Sequence, residues 1–446
     1  SSPILIITGQ IDRDKISKDI GILHEINDQM DIIKPITKWQ TRVMSAKNIP
    51  AAVQKSFLQL RTGRPRPVEI EITPEALSEP SCSPKYRRAK IPVTTVNQRS
   101  LKNAATIIAA SKNPVIWAGG GIHSSGASNE LLALAEYLQI PVLNTPEGKG
   151  SISDKHYLSI GTPQGRSTGN SKDSLRDFFY TCDLILAVGT RFAYANPKPH
   201  QQVVQIDIDS KEIGRNHKKT LGVLGDARQA LAQLLKIIKT KTKPKHNKKI
   251  TFDKMRFDRY ENPVNQLEPL ASYVNALRRG IPDDGILVTD MNTIAYHTRT
   301  HYQTYNSGSY FTTSYSGNLG SAFPTSLGIK VARPKQVVVS ISGDGGFLFN
   351  SQELATAIQF NINVVAIVFN DQSYSNVERD MKRIFKGKSL GSKLKNPNFM
   401  KLANAYGAIG MKAKNPGALV KSLRNAIALD KTVIIEVPIK QLPSPF

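Results

Sequence analysis

Cysteine is scarce in this 446-residue sequence, which has only Cys82 and Cys182. Two thiols cannot form the disulfide framework of a small secreted protein, so the composition indicates a reducing, cytoplasmic setting. Cys82 lies in a segment rich in serine and proline, and Cys182 ends a predicted aromatic helix. We interpret both as plain thiols rather than as nucleophiles or metal ligands.

Long apolar runs are also missing. The longest have the length of a strand, well short of the roughly 18 residues that a transmembrane helix needs. No basic segment followed by an apolar one opens the chain, so we expect no association with a membrane. With 40% hydrophobic residues the chain can still bury large cores, and its length predicts two to three domains.

Acidic residues are too few to balance the basic ones: 35 Asp and Glu stand against 60 Lys and Arg, for a net charge of +25. Such a charge attracts nucleic acid non-specifically. The densest basic run, 236–249, contains proline and no aromatic residue that could stack on bases, which favours a solvated linker. We expect no specific nucleic-acid partner, although a basic, non-catalytic regulatory or nucleic-acid-associated protein remains the alternative hypothesis.

Clusters of proline, serine and lysine divide the sequence. We predict a first domain over 1–78, a linker over 79–95, a central α/β domain over 96–240, a basic linker over 241–251 and a C-terminal domain over 252–446. Alternating helical and strand patterns predict parallel sheets. The predicted strands are 4–8, 68–72, 114–118, 184–188, 203–207, 337–342, 364–369 and 434–438, and the predicted helices are 51–60, 99–111, 128–138, 226–238 and 351–360.

The stretch 337–371 carries the most chemical information. Its first strand ends in Gly-Asp-Gly-Gly, and its second ends in Asn370 and Asp371, 27 residues after Asp344. One helix and one strand fit that interval, so both acids are expected at the same sheet edge. Two carboxylates beside the backbone N–H groups of Gly345 and Gly346 would suit Mg²⁺ and a diphosphate. The alternative is a simple turn followed by a helix cap.

At these residues the chain resembles the thiamine diphosphate (ThDP) enzymes, and most closely their acetolactate-synthase-like branch. The resemblance implies an α/β fold of three doubly wound parallel-sheet domains, the first incomplete, with ThDP and Mg²⁺ as cofactors. It implies metal ligation by Asp344, by Asp371 in place of the family's usual Asn, and by the carbonyl of Ser373. The neighbouring Tyr374 and Asn376 are implied to contact the cofactor.

Upstream, residues 314–324 resemble the family segment that packs under the cofactor rings. The resemblance places Gly317 in that segment and makes Leu319 the bulky wedge that bends the cofactor. Thr293 stands where the family commonly has a Gln before the diphosphate, and its shorter side chain can still donate a hydrogen bond.

The central domain has a possible nucleotide motif. Gly119, Gly120 and Gly121 follow a strand, and Asp207 and Asp209 end a later one, but the pattern is not GxGxxG and a tight turn fits equally well. In acetolactate synthases this domain carries FAD, and residues 189–192 begin like one of its contact motifs. The match fails at Ala193-Tyr194-Ala195, so FAD remains possible but doubtful.

The resemblance implies decarboxylation of a 2-oxo acid and carboligation to a second carbonyl, in a homodimer or homotetramer. Asp380 stands where synthases place a Trp that favours a larger second ketoacid, and a charged residue cannot form that apolar wall. A simple 2-oxo acid decarboxylase is therefore a further alternative.

No catalytic acid is assigned. The family's Glu that activates the aminopyrimidine lies before the strand at 4–8, and neither Glu25 nor Glu69 stands in its position. We therefore expect the chain, which begins at Ser1, to be a fragment without that Glu.

Overall fold

The computed structural model describes residues 2–80, 88–92, 94–163, 174–193, 195–246, 248–262, 267–313 and 316–444. It contains three parallel sheets, of three, six and six strands. They divide between two compact units, the first formed by residues 1–95 with 208–210 and the second by the rest of the chain. Within the described ranges, no helix is long and apolar enough to cross a membrane.

The first unit is built on a sheet with the order β1-β3-β2. Val43, Ala52 and Ile70 form part of its apolar core. Two glutamates of the central strand are also buried: Glu69 accepts a hydrogen bond from Gln40, and Glu71 pairs with Arg42. The elements are β1 Leu5–Gly9, α1 Gln29–Ile33, β2 Trp39–Val43, α2 Ile49–Arg61, β3 Val68–Ile72 and α3 Pro74–Ser78.

The central sheet of the second unit has the order β6-β5-β4-β7-β8-β9. Its inner strands include fully buried apolar runs such as Pro114–Ala118 and Leu184–Val188, as expected for a parallel sheet covered by helices on both faces. The elements are α4 Gln98–Ala110, β4 Pro114–Ala118, α5 Gly121–Ser125, α6 Ser128–Leu138, β5 Val142–Asn144, β6 Ser159–Gly161, α7 Ser174–Thr181, β7 Leu184–Val188, β8 Gln202–Asp207, β9 Thr220–Leu224, α8 Ala227–Lys239 and α9 Lys249–Tyr260.

The C-terminal sheet has the order β11-β10-β12-β13-β15-β14. Apolar clusters cover both of its faces. The elements are α10 Leu270–Gly280, β10 Ile286–Thr289, α11 Thr293–His301, β11 Tyr310–Thr312, α12 Ala322–Ala332, β12 Val338–Gly343, α13 Asp344–Leu348, α14 Glu353–Gln359, β13 Val365–Asn370, α15 Ser375–Ile384, α16 Phe399–Ala405, β14 Ile409–Lys412, α17 Pro416–Leu429 and β15 Val433–Pro438.

The predicted α/β class with three parallel-sheet domains is confirmed. The proposed domain boundaries remain predictions. Two local features differ from the sequence analysis. The Gly-Asp-Gly-Gly segment, for which a simple turn was the alternative, begins helix α13, with Gly343 as its N-cap. The predicted basic linker also overlaps α9, which already begins at Lys249.

Candidate functional site

Two acids lie at the carboxyl ends of neighbouring strands in the C-terminal sheet. β12 and β13 are parallel and paired, with Gly343 opposite Phe369, so Asp344 and Asp371 follow at the same edge. Asp344 is 2% exposed. Burial raises the pKa of both carboxyls above their usual range, and the charge of Asp371 raises the pKa of Asp344 further. A divalent cation would relieve both effects.

Hydrogen bonds hold the two carboxylates in place. Asn396 donates through Nδ2 to Oδ2 of Asp344, at 2.6 Å. Ser375 donates through Oγ to Oδ2 of Asp371, at 2.5 Å, and the backbone N–H of Ser373 also hydrogen-bonds that carboxylate. These donors partly offset the rise in pKa that burial causes.

Ser373 is buried and is fixed by its own hydroxyl. Its Oγ lies 2.8 Å from Oε2 of Glu378 and 3.0 Å from the carbonyl oxygen of Ser392. Glu378 also pairs with Lys382 and Lys393, and these partners lower the pKa of its carboxyl to about 2. Ser373 is thus anchored through its side chain while its carbonyl lies near Asp371 in the chain, as a third oxygen ligand requires.

The two glycines after Asp344 have neighbours that the sequence did not predict. A Cβ on Gly345 would lie 2.4 Å from Cε1 of Tyr374, so the Tyr374 ring packs directly on this glycine. A Cβ on Gly346 would lie 3.1 Å from Oδ2 of Asp290. Both glycines therefore let a protein side chain pack against the backbone, and the assignment of their N–H groups to a phosphate stays a prediction.

The turn predicted to lie under the cofactor rings is clamped from two sides. Its Gly320 donates its N–H to Oδ2 of Asp290 at 2.9 Å, and its carbonyl accepts from Nδ2 of Asn350 at 2.7 Å. Gly317 and Gly320 have φ of 64° and 82°, values that favour glycine. Leu319, between them, remains partly exposed. Ser314 and Tyr315 lie outside the described residues.

The remaining candidates surround the same edge. Thr293 is the first residue of α11, which follows β10 after a short loop, and β10 is the other neighbour of β12. Asn376 lies in the first turn of α15 and accepts a hydrogen bond from Arg379 at 2.9 Å. The structure thus gathers Thr293, the 316–320 turn, Asp344 and residues 371–376 around the carboxyl edge of one sheet.

Sequence reasoning missed four residues of this site: Asp290, Asn350, Glu378 and Asn396. Asp290 follows a buried strand in the same way as Asp344 does, so the same signal could have found it. Asn350, Glu378 and Asn396 are ordinary polar residues of helices and loops, and no local pattern distinguishes them. Across the described residues, no group of three or more His, Cys, Asp or Glu side chains could hold a metal.

The nucleotide motif of the central sheet has a different environment. A Cβ on Gly119 would lie 2.4 Å from the carbonyl oxygen of Gly189, and one on Gly121 would lie 2.5 Å from Cα of Gly189. The glycines thus allow two strand-end loops to pack against each other.

Tyr194, in the failed flavin motif, lies outside the described residues, as does Cys82. Cys182 is buried, which raises its pKa to about 12, as expected for a plain thiol.

Comparison with known proteins gives matches along most of the sequence. Residues 101–234 match the family described as "Thiamine pyrophosphate enzyme, central domain", and residues 292–437 match "Thiamine pyrophosphate enzyme, C-terminal TPP binding domain". The chain is 31% identical to a probable acetolactate synthase large subunit of Methanocaldococcus jannaschii, over 99% of this chain and 78% of the relative. It is 30% identical to the acetolactate synthase large subunit of Lactococcus lactis, over 99% and 77%.

Solved structures show the same fold. Benzoylformate decarboxylase from Polynucleobacter necessarius superposes with a TM-score of 0.81 at 20% identity, covering 99% of this chain and 83% of that one. A thiamine diphosphate-dependent 4-hydroxybenzoylformate decarboxylase from Rhodococcus jostii RHA1 gives 0.81 at 21% identity, covering 98% and 82%. At these identities the likeness concerns the fold alone.

Proposed function

The chain belongs to the thiamine pyrophosphate enzyme family, and from this membership we propose an acetolactate-synthase-like activity that depends on ThDP and Mg²⁺. The substrate is a 2-oxo acid, which is decarboxylated and joined to a second carbonyl compound. The observation that carries the proposal is the pair Asp344 and Asp371 at adjacent strand ends, the first buried and the second partly buried, both with raised pKa values.

The residues present suit the metal. Mg²⁺ is commonly held by one or two carboxylates together with phosphate oxygens. Asp344 and Asp371 supply the carboxylates, and the anchored Ser373 supplies a carbonyl. Asp371 keeps the oxygen that the family's Asn offers and adds a negative charge. ThDP, when bound, supplies the electron sink for decarboxylation.

The chain's own residues position and shield the reacting groups. The turn with Gly317 and Leu319, held by Asp290 and Asn350, would support the cofactor rings. Thr293 would offer its hydroxyl to the cofactor, and Tyr374 and Asn376 would contact it. FAD is left out of this proposal, because the glycines at 119 and 121 are occupied by packing against Gly189 and the flavin motif fails after Phe192.

The decisive experiment is a calorimetric titration of ThDP with and without Mg²⁺. We expect Mg²⁺-dependent binding by the unaltered chain and none by Asp344→Ala, because that change removes a charged metal ligand. Asp371→Asn, which restores the family's usual residue, should still bind. Asp430→Asn, at an exposed helix end, is the matched control. Mg²⁺-dependent binding by Asp344→Ala at the unaltered affinity would refute the assignment.

Product analysis then identifies the reaction. In a longer chain that includes the family's activating Glu, incubation with a 2-oxo acid should give carbon dioxide and a carboligation product, whereas a simple decarboxylase would release carbon dioxide and the aldehyde alone. We further propose that the chain acts in the cytoplasm as a homodimer or homotetramer, since the family assembles its sites between subunits. Light scattering of the purified protein tests this assembly.

A further inference from the structure

Asn396 links the two strand ends that carry the candidate metal site. It lies after α15 and before α16, and its Nδ2 is 2.6 Å from Oδ2 of Asp344 and 2.9 Å from Oδ1 of Asn370. Asn370 is itself oriented, because its Nδ2 donates to Oε1 of Glu436 at 2.8 Å. A chain of hydrogen bonds therefore runs from Glu436 through both amides to the carboxylate of Asp344.

This chain of bonds permits only one orientation of the Asn396 amide. Turning the amide over would place its oxygen against two acceptors, the Asp344 carboxylate and the Asn370 oxygen. In the orientation that remains, Oδ1 of Asn396 is buried and has no hydrogen-bond partner within the described part of the chain. A buried acceptor without a partner costs stability unless a donor arrives. Water coordinated to Mg²⁺ would be such a donor, since protein-bound Mg²⁺ usually keeps several waters.

The segment 391–396 is tied to the site at three further points. The N–H of Tyr374 donates to the carbonyl of Ser392 at 2.8 Å, and the N–H of Leu394 donates to the carbonyl of Gln372 at 2.8 Å. Lys393 pairs with Glu378, the residue that also holds the hydroxyl of Ser373. The segment therefore lies against residues 372–374, and Asn396 is its contact with Asp344.

We propose that Asn396 is a positioning residue of the metal site, which fixes the Asp344 carboxylate for the cation and ties the segment 391–396 to it. The inference rests on the proposed Mg²⁺ and ThDP site and adds to it a residue outside the 344–376 motif. Hydrogen-bonded partners of metal ligands typically change metal affinity by about 10 to 100-fold when removed. We expect an effect of that size from the loss of this amide.

The experiment measures metal binding directly. Mn²⁺ replaces Mg²⁺, and the free ion is quantified by electron paramagnetic resonance at saturating ThDP. In Asn396→Ala, the Kd for Mn²⁺ should rise about 10 to 100-fold. The matched control is Asn398→Ala, two residues further on. Asn398 caps α16 by accepting the N–H of Lys401 at 3.0 Å, so its loss should lower the Tm and leave the Kd for Mn²⁺ unchanged.

The outcomes separate the two proposals. If the unaltered chain binds Mn²⁺ with ThDP and Asn396→Ala binds it equally well, the role of Asn396 is refuted and the proposed function stands. If the unaltered chain takes up no Mn²⁺, both are refuted. Should Asn396→Ala fail to fold, Asn396→Ser keeps a polar side chain that is too short to reach Asp344, and the same rise in Kd is expected. An equal rise of the Kd for Mn²⁺ in Asn398→Ala would show that the effect comes from general destabilisation, and it would also refute the proposal.

Discussion

The central and C-terminal sheets have the same number of parallel strands but use their carboxyl edges differently. In the central sheet the strand order reverses between β4 and β7, and there Gly119 and Gly121 pack on Gly189. In the C-terminal sheet the order reverses between β10 and β12, and there the acids Asp290 and Asp344 are buried. Ligands of such sheets bind at the point of reversal.

Glycines at the end of a strand therefore do not by themselves indicate a ligand-binding site. In the central sheet, a missing Cβ lets two backbones approach each other. In the C-terminal sheet, Gly345 and Gly346 lie against the side chains of Tyr374 and Asp290. The difference that matters is the set of polar groups beside the glycines, since the C-terminal edge has carboxylates with raised pKa values at the ends of adjacent strands.

The largest effect on stability is expected from Gly119→Ala in the central sheet. The added Cβ would lie 2.4 Å from a backbone oxygen that cannot rotate away, so we expect the free energy of unfolding to fall by about 3 kcal/mol. Urea denaturation measures it. The control is Gly328→Ala in α12, where nothing lies within 4 Å of the new Cβ and a small gain in stability is expected. Equal stability of the two variants would contradict the packing explanation.

Asp290→Ala should cost about 2 kcal/mol, because the backbone N–H groups of Met291 and Gly320 lose their common acceptor. The turn around Leu319 should also loosen and weaken the binding of ThDP. Thermal unfolding and calorimetry check the two effects. Asp290→Asn keeps the shape of the side chain and one oxygen acceptor, so its losses of stability and of ThDP affinity should be smaller. An Ala variant as stable as the unaltered chain would show that Asp290 does not hold the turn.

Gly345→Ala should affect binding more than stability, in contrast to Gly119→Ala. The Cβ would meet a Tyr374 ring that can move, so we expect a loss of about 1 kcal/mol in unfolding and about a tenfold loss in ThDP affinity. In the double variant Gly345→Ala with Tyr374→Leu, the loss of stability should be smaller than the sum of the single changes. Losses of stability that simply add would show that Gly345 and Tyr374 act independently, and would contradict the contact between them.

The smallest effect concerns Asp371 and pH. Burial raises the pKa of its carboxyl in the folded state above the ordinary value of 3.8, so the ionised group destabilises the metal-free protein at pH 7. That cost disappears as the pH falls through the raised pKa. Metal-free Asp371→Asn should therefore have a higher Tm than the unaltered chain at pH 7, and the difference should shrink as the pH falls through the raised pKa and disappear below pH 3.8.

Much of the fold was predictable because its strands are continuous apolar runs. The strand at 114–118 and the helix at 128–138 have the predicted bounds. Strand β2 was missed, since its Gln40 and Arg42 look like surface residues until Glu69 and Glu71 of β3 pair with them. That pairing is a tertiary contact, which no local pattern contains.

The residues of the candidate site also fall into those that the sequence predicts and those that only the tertiary fold brings together. Asp344 and Asp371 could be placed because each directly follows a buried strand. Asn396 and Glu378 act through contacts that the tertiary fold creates, and their own surroundings in the sequence are unremarkable polar stretches. The site residues remain predictions until binding is measured.

The exposed stretch 386–391 lies between the anchors at Glu378 and Asn396 and contains Lys386, Lys388 and the 89% exposed Leu390. A single tryptic cut there would leave Lys393 paired with Glu378 and Asn396 bonded to Asp344. Strand β15, from the far side of the cut, would stay inserted between β13 and β14. The protein should therefore survive nicking as a two-chain complex, and the pieces produced by separate genes should reassemble into one site.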